Sequence, residues 1–257
     1  LKGSGELMKL DILAFGAHPD DVEIGFGGTL IKHAAKGYMC GIVDLTAGEM
    51  GSNGTPEIRR QEALQAAEIM GMQVRDCLGL PDARLEVNEE SKLAVIEIIR
   101  KYRPHVVVGP YHADRHPDHL RASQLVREAA HLSGLRKYPA EGEAYRPAVV
   151  AQYFLAVHGE PSSIVDISEH YEKKIAALCA HESQFGLRKG ADWQTLVNDP
   201  AFIRMIISRD QFVGSLIQVL YGEGIYFEEK MILDDLMSLR GRMPKLAMER
   251  IKGVVQQ

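Results

Sequence analysis

Two short stretches carry residue types that do chemistry together. The first is Ala17-His18-Pro19-Asp20-Asp21-Val22-Glu23, an imidazole and three carboxylates directly after the apolar run Leu10 to Phe15. The second is His112-Ala113-Asp114-Arg115-His116-Pro117-Asp118-His119, three imidazoles and two carboxylates just after Val106-Val107-Val108. Imidazole and carboxylate suit a divalent ion such as zinc, and a catalytic zinc site keeps three protein ligands and an open position for water. His119 can complete a ligand triad with His18 and Asp21, and His116 then lies close to the ion without binding it. Asp118 could accept a hydrogen bond from an imidazole and fix its tautomer. Two adjacent carboxylates at a strand end can point different ways, so one can ligate while the other stays free as a base. The plainer use of Asp20 and Asp21 is to cap the helix that follows. The plainer use of the second stretch is a solvated polar loop, in which His112 need not face the site.

The elements that must hold these stretches alternate. Leu10 to Phe15, Met39 to Leu45, Val74 to Leu80 and Val106 to Val108 read as apolar strands. Between them the pattern predicts a helix over Gly27 to Lys36, one opened by Thr55-Pro56 as N-cap and first position and closed at Gly71, and one marked by Leu93 to Ile99. This order implies an α/β fold, a mostly parallel sheet covered by helices on both faces. Ligand sites in such sheets form at the carboxyl ends of the strands, near a topological switch point. Both loaded stretches fall at that edge. Further on, Leu120 to Leu132 reads as a helix, Val149 to Val157 and Ser163 to Ile167 as strands, Ser168 to His181 as a helix, Gly186 to Asp199 as a polar loop and Phe202 to Tyr221 as a long helix. Residues 228–257 read as a C-terminal extension, a solvated terminal helix, and residues 1–7 as a remnant foreign to the fold.

Composition narrows the function classes. At 257 residues, the chain is long enough for one domain with a sizeable core. A formal net charge of -5 without any Lys/Arg block argues against a nucleic-acid binder. No apolar run approaches the roughly 20 residues of a membrane span, and no basic-apolar-small leader pattern opens the chain. Cys40, Cys77 and Cys179 are widely spaced and sit by apolar segments, so buried free thiols in a reducing cytoplasm are expected. His33, His105, His131, His158, His170 and His181 have no carboxylate cluster around them in sequence and read as ordinary packing residues. Gly25-Phe26-Gly27-Gly28 does not make the GxGxxG of a dinucleotide site.

The two stretches, Ala17 to Glu23 and His116-Pro117-Asp118-His119, resemble those of the PIG-L/LmbE-like family of zinc-dependent N-acetylglucosaminide deacetylases. Leu13 to Gly16, Asp44-Leu45-Thr46, Ser52 to Thr55 with Arg59, Pro81-Asp82, Glu182 to Phe185 and Tyr221 to Gly224 look like the branch of the bacillithiol pathway. The resemblance runs from Lys9 to Phe227, so residues 8–227 are expected to form the deacetylase domain. It implies a Rossmann-like sandwich, zinc held by His18, Asp21 and His119 (with iron(II) possible on the same ligands), and Asp20 as general base. It also implies His116 as oxyanion stabiliser or acid supported by Asp118, Arg59 as a substrate-binding residue at the pocket rim, and a homo-oligomer, commonly a hexamer. One departure stands out: Phe202 falls where close relatives place a Tyr, which would remove a hydroxyl near the oxyanion.

The implied reaction is hydrolysis of an N-acetyl group on a small glycoside, N-acetylglucosaminyl-malate above all, releasing acetate. A glycosyl-inositol or chito-oligosaccharide is the alternative substrate. A non-catalytic metal- or sugar-binding protein is the rival class, disfavoured because a pure metal site needs no free carboxylate beside its ligands.

Overall fold

The computed structural model describes residues 8–157, 159–185, 193–233 and 235. The readings made for residues 1–7, for His158, for the first part of the loop after Gly186 and for most of the C-terminal extension lie outside the described residues. Residues 228–233 and 235 form neither helix nor strand.

Seven strands form one sheet in the order β3-β2-β1-β4-β5-β7-β6. They are β1 (Ile12–Gly16), β2 (Cys40–Thr46), β3 (Val74–Leu80), β4 (Val106–Pro110), β5 (Val149–Tyr153), β6 (Ser163–Asp166) and β7 (Gly222–Tyr226). β1 to β5 pair parallel, and β7 runs antiparallel to both its neighbours. Six α-helices are described: α1 (Asp21–Ala35), α2 (Pro56–Met70), α3 (Glu89–Tyr102), α4 (Pro117–Leu132), α5 (Tyr171–Cys179) and α6 (Pro200–Leu216).

Alternate residues of the central strands feed two cores, because successive strand side chains point to opposite faces. Ile12, Ala14, Cys40 and Ile42 pack with α1, α2, α5 and α6 residues such as Leu30, Met70, Leu178 and Ile206. Leu13, Phe15, Val43 and Leu45 pack with Val95, Ile99, Leu125 and Val126 of α3 and α4. The result is the expected α/β sandwich with a mostly parallel sheet.

Local signals explain the helix starts. Thr55 accepts a hydrogen bond from Ile58 N, and Pro56 follows at the first helical position. Asn88 and Ser91 form a reciprocal capping box on α3. Gly71 ends α2 with a left-handed φ of 80°.

The topology sets the site. From β1 the chain builds outward to β2 and β3, then returns to place β4 on the other side of β1. The loops after β1 and β4 therefore part at the carboxyl edge, and the crevice between them is the switch point.

Four expectations need correction. α1 begins at Asp21, not at Gly27. Its first turn holds Asp21 and Glu23, which the helix dipole favours but apolar periodicity does not register. β5 stops at Tyr153, so the following residues leave the sheet for the site. β7 was not read as a strand, because Gly222 and Gly224 flank Glu223 and hide the pattern. Cys77 is exposed rather than buried, because β3 is an edge strand with one side uncovered, whereas Cys40 is buried on the central β2.

Candidate active site

Segments after five strand ends, together with α2 and α6, build a cavity of about 290 Å³. Its lining includes His18, Asp20 and Asp21 after β1, Met50 and Gly51 after β2, Asp82 and Ala83 after β3, Asp114 to His116 and His119 after β4, Leu155 and Ala156 after β5, and Arg59 from α2. Val197, Phe202 and Met205 close an apolar side.

Asp21 lies between two imidazoles. Its Oδ2 is 3.5 Å from His18 Nδ1 and its Oδ1 is 3.2 Å from His119 Nε2. His18 N donates to the same Oδ2 at 2.9 Å, so the loop itself orients the carboxylate. Each imidazole turns its other nitrogen to a second carboxylate. His18 Nε2 meets Asp82 at 3.1 Å and Asp118 at 3.3 Å, while His119 Nδ1 meets Asp114 at 3.0 Å. This is the outer-carboxylate arrangement that fixes the tautomer of a metal-ligating histidine. Among the described residues, donor atoms of His18, His116 and His119 lie within 4.8 Å of one another, as do those of His18, Asp82 and Asp118, close enough to share a divalent ion. The donor set fits too: Asp20, Asp21, Asp82, Asp114 and Asp118 face or back the cavity, against one buried guanidinium, Arg59. A divalent cation of the zinc class answers that surplus.

Burial would lower the His18 pKa, but Asp118, Asp21 and Asp82 overcome it and raise it well above its ordinary value. Burial opposes His119 likewise, and Asp21 and Asp114 raise it to about 9. Burial would raise Asp21, yet His119 and His18 hold it well below the usual carboxylate range.

Asp20 behaves differently from its neighbour. Burial pushes its pKa up to about 6, with Arg59 pulling the other way. Its backbone has φ of 126°, a region that non-glycine residues rarely take and that persists where surroundings impose it. Arg59 supplies that constraint: Nη2 donates to Pro19 O at 2.9 Å and reaches Asp20 Oδ2 at 3.4 Å, and Nη1 donates to Gly48 O at 3.0 Å. Gly48 has no alternative, since a Cβ there would lie 1.9 Å from Arg59 Nη1. Arg59 thus sits 4 % exposed beneath Asp20, deeper than a rim position. The capping use of Asp20 does not occur: it is the N-cap of α1 but makes no side-chain cap hydrogen bond.

His116 is the N-cap of α4, and its Nδ1 accepts from Asp118 N at 3.2 Å. Burial and the neighbouring His18 and His119 lower its pKa. A neutral His116 with Nδ1 accepting carries its hydrogen on Nε2, so it donates without first being protonated. Asp118 contributes only its backbone N–H to His116, and its carboxylate serves His18. Ala83 N at 2.8 Å and Leu85 N at 3.4 Å hold that carboxylate in place.

His112 turns away, with Nδ1 3.0 Å from Gln152 Oε1 and its ring against Tyr111 and Tyr226. Phe202 does line the cavity, and no tyrosine is among the described lining residues.

Sequence reasoning gave no site role to Asp82, Asp114, Arg75 or His181, and expected Glu23 only to support the metal loop or the helix start. Asp82 and Asp114 back the two imidazoles. Glu23, fully buried, pairs with Arg75 at 2.5 Å and with His181 at 3.2 Å, and Arg75 also holds Asp44 at 2.8 Å. His181 is therefore not an ordinary packing residue. The signal that could have found them was positional: a carboxylate just past a strand end, at the same edge as an imidazole that needs an outer partner.

The comparisons with known proteins agree with this geometry. Residues 13–130 match the family model described as PIG-L, GlcNAc-PI de-N-acetylase. The chain is 31% identical over 229 residues to diacetylchitobiose deacetylase of Thermococcus kodakarensis, covering 84% of this chain and 82% of that protein. It is 31% identical to a probable N-acetyl-alpha-D-glucosaminyl L-malate deacetylase 2 of Bacillus cereus, over 69% of this chain and 84% of the relative. Among solved structures, the conserved protein TT1542 of Thermus thermophilus superposes with a TM-score of 0.82 at 38% identity, covering 90% of this chain and all of that one. A Rossmann-like sandwich with a His/Asp cage at its switch point defines a class of metal-dependent hydrolases. Within that class, the chain belongs to the PIG-L family and is a hydrolytic N-deacetylase.

Proposed function

We propose that the protein uses zinc to hydrolyse the N-acetyl group of an N-acetylglucosaminyl conjugate, with N-acetylglucosaminyl-malate of bacillithiol synthesis as its substrate. The observation that carries the reading is Asp20: a carboxylate outside the His18–Asp21–His119 cage, buried at the cavity and pushed up to about 6. A base poised near neutral pH beside a cation site is what amide hydrolysis by water requires.

In this reading His18, Asp21 and His119 hold the ion. When bound, it polarises the acyl carbonyl and makes water acidic near neutral pH. Asp20 takes the proton of the attacking water. His116 donates from Nε2 to the oxygen on which negative charge develops. Asp20 then returns its proton to the departing amine, so the base regenerates within one turnover. Asp118 and Asp114 keep His18 and His119 in their ligating tautomers. Arg59 steadies Asp20 and is the cavity's buried cation, with exposed Arg115 as a second cation on the lining, both suited to a malate carboxylate. The Thermococcus and Bacillus relatives support an N-acetylglucosaminyl substrate by the activities they are named for.

A second substrate reading has its own observation. Leu155, Val197, Phe202 and Met205 give the cavity an apolar side, which suits the face of a second sugar ring. Acetate release from N-acetylglucosaminyl-malate, N-acetylglucosaminyl-inositol and diacetylchitobiose by the zinc-loaded protein separates the two. The malate conjugate is expected to give the highest kcat/KM, and Asp20→Asn to abolish the reaction with zinc retained. Preference for diacetylchitobiose would favour the second reading, and no acetate from any of the three would sink both. Metal analysis after anaerobic purification decides between zinc and iron(II), which the same ligands accept.

A further inference from the structure

Charge enters the middle of α1. In an α-helix, Gly28 N–H is given to Ile24 O and Thr29 N–H to Gly25 O. Here Gly28 N donates to Glu223 Oε1 at 2.9 Å and Thr29 N to Glu223 Oε2 at 2.7 Å. Ile24 O is met by Arg209 Nη2 at 2.5 Å. A carboxylate and a guanidinium thus meet the backbone of α1 at one level, while the helix runs continuously from Asp21 to Ala35. The glycines around this rung make the approach possible: a Cβ at Gly25 would lie 2.3 Å from the Tyr153 ring.

The pair belongs to a sealed, balanced cluster. Lys174 of α5 binds Asp210 at 2.6 Å and Glu223 at 2.8 Å, and Arg209 binds Asp210 at 3.0 Å. All four side chains are buried. A fold needs no such cluster at this place, since apolar residues of the same volume are often at least as stabilising.

Its connections suggest what it does. Arg209 Nη1 also takes Leu155 O at 3.1 Å and Phe154 O at 3.4 Å. Ile24 and Leu155 both line the active-site cavity, as do Phe202 and Met205, which lie two turns and one turn before Arg209 on α6. One guanidinium therefore joins the backbone behind two cavity walls. Three residues before Ile24 stands Asp21, the carboxylate between His18 and His119.

We infer that Arg209 and Glu223 are positioning residues for the metal cage: through Ile24 O, Gly28 N and Thr29 N they brace α1 one to two turns after Asp21, and so set Asp21 against His18 and His119. The inference rests on the metal reading above. Its test is the zinc dissociation constant, measured by competition with a chromophoric chelator on the full chain, beside Tm. Arg209→Lys keeps a cation beside Asp210, but one ammonium cannot span Ile24 O and Leu155 O. Glu223→Gln keeps a single acceptor for two N–H groups. Both are expected to weaken zinc binding about tenfold. Lys174→Met removes a cation from the same cluster but leaves the three hydrogen bonds to the α1 backbone with their partners, so it should lower Tm and cost less zinc affinity than either variant. Wild-type zinc affinity in both Arg209→Lys and Glu223→Gln, at whatever Tm, would overturn the inference. Should these variants not fold, hydrogen exchange on the wild type decides: zinc should protect the amides of 22–29 more than those of 30–35 in the same helix, and equal protection overturns it. A wild type that binds no zinc defeats the metal reading itself, a different result from wild-type-like affinity in the variants.

Discussion

Besides the Glu23, Arg75, Asp44 and His181 group, two buried charge clusters meet α1, one at its start and one at its middle, and they are built on opposite plans. At the middle, Lys174 and Arg209 face Asp210 and Glu223, two cations against two anions, with no opening to the cavity beyond the backbone they hold. At the start, Asp20, Asp21, Asp82, Asp114 and Asp118 outnumber the lone Arg59, and the cluster opens onto the cavity. A balanced cluster completes itself and fixes shape. An unbalanced one is complete only with a charge from outside, and its carboxylates already draw on His18 and His119. The same chemical groups therefore give structure in one place and a site in the other, according to whether their charges cancel.

Removing the outside charge breaks the comparison most directly. A chelator is expected to abolish deacetylation and zinc to restore it, while the balanced cluster keeps the fold. His119→Ala should lose zinc and activity together. His116→Ala should retain zinc and lose about 10²–10³ in turnover, the cost of one electrostatic donor to the developing oxyanion. Metal content and kcat measured on the same samples separate the two variants. Full turnover in metal-replete His116→Ala would remove that residue from the mechanism.

The outer carboxylates give a smaller effect. Asp118→Asn leaves one acceptor oxygen where Ala83 N and Leu85 N use two, and weakens the partner of His18 Nε2. Zinc affinity should fall about tenfold to a hundredfold, as outer-partner changes do. Titration of the metal-free variant with zinc measures it. Unchanged affinity would leave Asp118 as a helix-start residue only, and Asp82 as the sole carboxylate orienting that ring.

The start cluster was largely legible in the sequence and the middle cluster was not, for a physical reason. His18, Asp20, Asp21, His116 and His119 are chemically loaded residues in two short stretches after apolar strands, so local spacing alone brings them to one sheet edge. Lys174, Arg209, Asp210 and Glu223 lie on three elements, α5, α6 and β7, and the residues beside them, such as Lys173, Ser208, Gln211 and the glycines around Glu223, do not mark them. Nothing local marks a charge that will be buried by topology. The same holds for His181, which meets Glu23 across 158 positions. The parallel strands β1 to β4 were equally readable, because each is followed by a helix, and α2, α3 and α4 carry their own caps. β7 was not, because its burial comes from the glycines that let it approach α6, not from apolar side chains.

Arg59 allows the finest distinction between the two plans, since it is the one guanidinium in the unbalanced cluster. Asp20 works as a base in its ionised form, so activity is present above its pKa and lost as pH falls through it. Burial raises that pKa to about 6, Arg59 lowers it, Asp21 raises it, and His181 and His18 lower it. In Arg59→Met the opposing guanidinium is gone, and the Asp20 pKa should rise by about one unit. The acid limb of kcat/KM is therefore expected to move to higher pH. A bound cation lowers the Asp20 pKa in wild type and variant alike, so the direction of the difference survives it. Arg209→Lys, whose guanidinium serves backbone carbonyls and Asp210 rather than Asp20, should lower kcat/KM without moving the limb. A limb that stays in place in Arg59→Met would mean that Asp20 is not the group that titrates. A limb that moves equally in both variants would mean that the clusters act as one electrostatic unit and that the boundary between them is only geometric.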